Sequence, residues 1–118
     1  MSENKLLPPL VYQMCVLGGL LVGSAAKQMV EKNIEITNDY DILVPLEKWQ
    51  TIALLIPMEA KPNRFGGWRF SDHQKNEIDI WPGTLQEYLQ NCKTKYGGAV
   101  YAIDYIHNKV YSSKVMDI

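Results

Sequence analysis

The segment Asn38-Asp39-Tyr40-Asp41-Ile42-Leu43-Val44 narrows what this chain can become more than any other. Polar and apolar residues alternate from Asp39 to Ile42, Leu43 and Val44 continue the apolar run, and Pro45, which has no N–H to give a ladder, closes it. The pattern predicts a strand over Asp39 to Val44. Successive strand side chains point to opposite faces, so Asp39 and Asp41 share one face while Tyr40, Ile42 and Val44 take the other. Two carboxylates side by side repel, and burial raises the pKa of one of them unless a cation neutralises the pair.

A third carboxylate has the same setting. In Glu77-Ile78-Asp79-Ile80-Trp81, Asp79 lies on the face opposite Ile78 and Ile80. If this strand lies beside the first, three carboxylates converge. Oxygen ligands of this kind suit a hard divalent ion such as Mg²⁺ or Mn²⁺, held by carboxylates together with substrate phosphates. Three are enough for two ions about 3.5–4 Å apart, an arrangement that serves phosphoryl transfer.

The rest of the chain reads as alternating elements. Leu10 to Leu17, between Pro8-Pro9 and Gly18-Gly19, is expected as a buried strand. The nearly uncharged stretch Leu6 to Ala26 has the look of a targeting segment, but Pro8-Pro9, Gln13 and Gly18-Gly19 interrupt it, so it is taken as fold. Leu20 to Lys32 carries apolar residues at helical spacing, and Ile34 to Asn38 returns the chain to the sheet. Leu46 to Ile56 is a second expected helix. Gly67–Ser71 and Glu77–Trp81 form a hairpin, and Thr84 caps a helix that runs through Cys92. Ala99–Ile106 and Lys109–Ser112 form a last hairpin around His107-Asn108. The expected fold class is α/β (α+β): one domain over residues 1–118, a mixed sheet flanked by helices.

A strand followed by glycine and a helix offers a phosphate cradle, because glycine permits close backbone approach and a helix N-terminus presents N–H groups to an anion. Gly18-Gly19 is preferred here, since Leu10 to Leu17 makes the better strand and Leu20 to Lys32 the better helix. Gly23-Ser24, nearer to Asp39, is the rival and would make Leu20 to Val22 the strand. Ser24 is kept as a candidate phosphate contact.

With Val16-Leu17-Gly18-Gly19-Leu20-Leu21-Val22, Asp39-Tyr40-Asp41 and Ile78-Asp79-Ile80, the chain resembles the nucleotidyltransferase fold of the DNA polymerase beta superfamily, across roughly Leu10 to Trp81. It looks most like the small bacterial and phage members, among them AbiEii-type toxins and minimal nucleotidyltransferases. The resemblance implies two Mg²⁺ ions on Asp39, Asp41 and Asp79, and phosphates held at Gly18, Gly19 and Ser24. It also implies transfer of a nucleoside monophosphate from an NTP to an acceptor: RNA, protein or a small molecule. Many family members carry a further helical domain for the acceptor, and 118 residues leave no room for one. The acceptor is then small, or a second copy in a homodimer supplies the missing wall, or the domain is a catalytically silent partner of toxin–antitoxin or phage-defence type. A haloacid-dehalogenase reading of the D-x-D ranks last: it calls for Thr or Val where Leu43 stands, and leaves Gly-Gly unexplained.

Composition adds limits. Twelve basic against thirteen acidic residues give no general pull toward nucleic acid, so phosphate binding must be local. Two distant cysteines and no Asn-x-Ser/Thr acceptor suit a cytoplasmic protein with no membrane role. Lys27, Arg64 and Arg69 are the nearest cations for triphosphate or acceptor charge. Trp49, Trp68 and Trp81 are expected as packing residues, Cys15 as core, and His73 and His107 as exposed turn residues.

Overall fold

The structure is a computed structural model that describes residues 7–31, 38–96 and 100–113. In chain order its elements are α1 (Pro9–Val16), β1 (Leu20–Val22), α2 (Gly23–Glu31), β2 (Asp39–Val44), a 3₁₀ turn (Leu46–Lys48) leading into α3 (Trp49–Ala53), β3 (Lys61–Pro62), β4 (Trp68–Ser71), β5 (Glu77–Pro82), α4 (Leu85–Tyr96), β6 (Tyr101–Asp104) and β7 (Lys109–Ser112). The strands form one mixed sheet in the order β3-β4-β5-β2-β1-β6-β7. Among the described residues only β2 and β5 run parallel; the other neighbours are antiparallel. The expected α/β class, mixed sheet and flanking helices are all present.

Helices cover both faces. On one, Val11, Met14 and Cys15 of α1, Ala25 and Ala26 of α2 and Ile52 of α3 pack on Tyr40, Ile42, Val44, Ile78 and Ile80. On the other, a smaller cluster of Leu20, Val22, Leu43 and Ala102 lies under Trp81, Leu85 and Tyr88. Thr84 caps α4 as expected: its Oγ1 accepts a 3.2 Å hydrogen bond from Glu87 N–H. That helix runs on to Tyr96.

The first third of the chain departs from the expected reading. Leu10 to Leu17 is helical, not a strand. Val11, Met14 and Cys15 are buried while Tyr12, Gln13 and Val16 are exposed, the stripe of a helix with one face on the core. Pro9 opens it at a position where its missing N–H costs nothing. Gly18-Gly19 closes it. Gly19 N–H donates to the Met14 carbonyl at 2.9 Å and Gly18 N–H to that of Cys15 at 3.1 Å, with Gly18 at φ +117°. These are the two bonds of a Schellman cap. Gly18-Gly19 therefore ends a helix and does not start one, which removes the helix N-terminus that its phosphate role depended on. Leu20 to Val22 is instead a fully buried strand between β2 and β6, and the helix begins at Gly23. The expected helix over Leu46 to Ile56 shortens to the 3₁₀ turn and α3. The return over Ile34 to Asn38 lies outside the described residues except for Asn38.

Gly18→Ala forces an L side chain into left-handed backbone, at a cost of about 1–2 kcal/mol. Thermal unfolding should show a midpoint lower by several degrees, with ligand binding at the far end of β1 unchanged. An unaltered midpoint would contradict the cap.

Candidate functional site

The site is built by register. Parallel pairing sets Asp39 beside Glu77, Asp41 beside Asp79 and Leu43 beside Trp81. Antiparallel pairing sets Arg69 beside Asp79 and Val22 beside Asp41. A single row therefore crosses four strands on the α4 face: Arg69, Asp79, Asp41, Val22. The neighbouring residues Ile42, Ile78 and Ile80 are completely buried in the opposite core. A slip of one residue would exchange carboxylates for isoleucines, so hydrophobic burial fixes the position of the charges.

The carboxylates have different surroundings. Asp39 opens β2 and is exposed. Asp79 is buried, at 8% exposure. Its Oδ1 accepts a 3.1 Å hydrogen bond from Asn63 Nδ2, and its Oδ2 lies 3.4 Å from Arg69 Nε, which also lies 3.3 Å from Glu77. Asn63 is itself fixed by the turn: its Oδ1 accepts from the N–H groups of Phe65 (3.0 Å) and Gly67 (2.8 Å), and its Nδ2 donates to the Trp68 carbonyl (2.9 Å). Asp41, between the other two, is half-buried. Burial first, then the charges of Asp79 and Asp39, push its carboxyl up to about 6, against the pull of Arg69 in the other direction.

Gly23 completes the centre. It lies where β1 turns into α2, at φ +71°, with its Cα against the Asp41 carboxylate. A Cβ there would run into Asp41 Oδ2 and come within 3.0 Å of Cγ. Gly23 N–H donates to the Tyr88 hydroxyl at 3.2 Å, so an oxygen already sits at the start of this nine-residue helix. From here opens a cleft of about 600 Å³, within the range of small-molecule sites. Gly23, Ser24 and Lys27 line it on the β1 side of Asp41, and Phe65 and Trp81 on the β5 side, with Tyr88 from α4.

The structure thus brings Asp39, Asp41 and Asp79 onto one face of two neighbouring strands, as expected, and adds Ser24 and Lys27 to the cleft. Gly18 and Gly19 stand at the opposite end of β1, against the Lys48 side chain and against Met14 and Ile42 respectively. The rival motif Gly23-Ser24 holds the strand-to-helix corner. Arg69 is in ion pairs with Glu77 and Asp79, and Arg64 lies over the Phe65 ring at 5.4 Å. Trp81, expected as packing, lines the cleft, with Phe65 stacked on it at 4.7 Å. Its place two residues after Asp79 on one strand was the available signal; Phe65, in a turn, had none. Cys15 is core as expected, its thiol pushed up to about 12 by burial and then by Asp104.

Among the described residues, no group of three or more His, Cys, Asp or Glu is arranged to hold a metal ion. The three carboxylates are neighbours but do not converge into such a group, and Asn63 and Arg69 take both oxygens of Asp79. Asp39 and Asp41 fit a hard cation by donor type and by the only partly compensated negative charge around Asp41. Among the described residues no helix is long and apolar enough to cross a membrane. Comparison with protein-family models, with curated proteins and with solved structures gives no match.

The raised Asp41 pKa has a signed consequence. The folded chain binds this proton more tightly than the unfolded chain. The stability it contributes is complete below about pH 4 and is lost as pH rises through about 6. Asp41→Asn should therefore stabilise the fold above pH 6, by roughly 1–3 kcal/mol, and make no difference below pH 4. Urea unfolding of both proteins across this range measures it; equal stabilities at pH 7.5 would rule out the electrostatic account.

Proposed function

We propose that the chain is a metal-dependent nucleotidyltransferase that moves a nucleoside monophosphate from an NTP to RNA, protein or a small molecule in the cytoplasm. One observation carries the reading: the Gly23-Ser24 corner packs directly on Asp41, which is in register with Asp79, at the mouth of a nucleotide-sized cleft. A phosphate-binding helix start and an acidic strand pair then serve one ligand.

Each residue has a role. The backbone at Gly23 and Ser24, helped by the α2 dipole, holds the phosphates, with the phosphate oxygen taking the place of the Tyr88 hydroxyl. Lys27 adds a cation from the same helix. Asp39 and Asp41 would hold Mg²⁺ or Mn²⁺, with Asp79 joining on release from Arg69. When bound, the metal supplies charge neutralisation at the transferred phosphate. An acceptor hydroxyl forms the new O–P bond at the α-phosphorus, the bond to the β-phosphate oxygen breaks, and pyrophosphate leaves. Asp79 takes the proton of the attacking hydroxyl. Catalysis by positioning and electrostatics suits a site with no covalent nucleophile in this scheme. One observation favours the second reading, a silent binding partner: Arg69 and Asn63 already satisfy Asp79.

Thermal unfolding with each NTP, with Mg²⁺ or Mn²⁺ and with EDTA, separates the two readings. A ligand at 100 times its dissociation constant adds about 2.7 kcal/mol, a shift of several degrees for a domain of this size. The shift should require metal and disappear in Asp39→Ala/Asp41→Ala and in Gly23→Ala, while Gly18→Ala keeps it. A folded wild type that shifts with no NTP would end the transferase reading.

A further inference from the structure

We infer that the aromatic side of the cleft is a nucleobase platform: Trp81, backed by Phe65, stacks the base of the nucleotide whose phosphates lie at Gly23-Ser24. This rests on the proposed function and adds to it the residues that hold the base.

Strand geometry supplies the spacing. Trp81 and Asp79 share a face two residues apart on β5, about 6–7 Å along the strand, and Trp81 is paired with Leu43, two residues on from Asp41. Platform and acidic centre are thus one same-face step apart along both strands and line one cleft, a spacing on the scale of a ribose. Trp81 is half-buried and held by its packing on the Leu43 cluster. Phe65 stacks on it with ring centroids 4.7 Å apart and planes tilted by 33°, and keeps 39% exposure. Together they form a tilted aromatic stack that lines the cleft. Tyr88 stands 6.4 Å from Trp81 on the α4 side. Beside it Glu87 and Asn91, one helical turn apart, line the same cleft and offer an acceptor and an amide to a base edge.

A second feature ties the platform to the carboxylates. Asn63 accepts from Phe65 N–H through Oδ1 and donates to Asp79 through Nδ2. One side chain thus ties the turn that carries Phe65 to the third carboxylate. Aromatic stacking suits every base, since each presents a π-face.

The test compares ATP, GTP, CTP and UTP with inorganic tripolyphosphate and with the four nucleosides, each with Mn²⁺ and with EDTA, by calorimetry on the wild type, Trp81→Ala, Trp81→Phe, Phe65→Ala and Asp41→Asn. At least one NTP should bind more tightly than tripolyphosphate. Trp81→Ala should weaken that NTP by roughly 5- to 100-fold and leave tripolyphosphate unchanged, while Trp81→Phe restores most of the loss. Phe65→Ala removes an exposed ring and keeps the test open if Trp81→Ala does not fold. Equal binding of NTP and tripolyphosphate, lost in Asp41→Asn but not in Trp81→Ala, would overturn the platform and keep the transferase site. Nucleoside binding that needs Trp81, with no metal-dependent phosphate binding, would keep the platform and remove the transferase reading. A folded protein that binds neither nucleotide nor nucleoside overturns the platform.

Discussion

The in-register parallel pairing of β2 with β5 is the contact on which the rest depends. It buries Tyr40, Ile42, Ile78 and Ile80 in one core and thereby sets Asp41 against Asp79 on the other face. Hydrophobic burial is the larger effect, on the order of 1.5–3 kcal/mol for each aliphatic side chain. Repulsion between two partly solvated carboxylates is smaller, so the apolar face wins and the charges are carried along. The close pairing is thus a by-product of core packing, and among the described residues no salt bridge at Asp41 offsets it. Arg69 compensates in part, but from the Asp79 side and shared with Glu77.

Gly23 extends this pairing into a site. A residue with a side chain at the end of β1 would push α2 away from Asp41. With glycine there, the helix start, the hydroxyl of Tyr88 and the carboxylate meet within a few ångströms. The other glycine pair does a different job. Gly18-Gly19 stops α1 and delivers the chain to β1, at the end of that strand away from Asp41.

Much of this was legible in the sequence because short-range physics dominates there. The alternation of Asp39 to Val44 and of Glu77 to Trp81 gave both strands, their faces and the carboxylates. Thr84 gave the start of α4. The N-terminal third misled for a specific reason. Leu10 to Leu17 is apolar enough to pass for a buried strand, and the deciding signals were the proline at its start and the glycine just past its end, the asymmetry that marks a helix. Leu20 to Val22 is only three residues long and buried throughout, so no period could show it as a strand. Its identity comes from pairing with β2 and β6, contacts between residues distant in sequence. The aromatic wall was hidden in the same way: Phe65 reaches Trp81 only because the turn before β4 folds onto β5.

These levels conflict at one place. Local pattern, capping and packing agree along the sheet, and polar groups are satisfied around Asn63 and Asp72. Asp41 breaks the agreement. It is a half-buried carboxylate beside two others, held against backbone that only glycine allows. An amide at this position would have the same shape without the repulsion, so stability does not account for the charge. Isolated breaks in otherwise consistent folds are where function is expected. Here the break lies at the meeting point of a helix start, an acidic pair and an open cleft. A ligand that brings positive charge to Asp41 and negative charge to the start of α2 would relieve both, and a metal-bound phosphate is the simplest chemical group that does so.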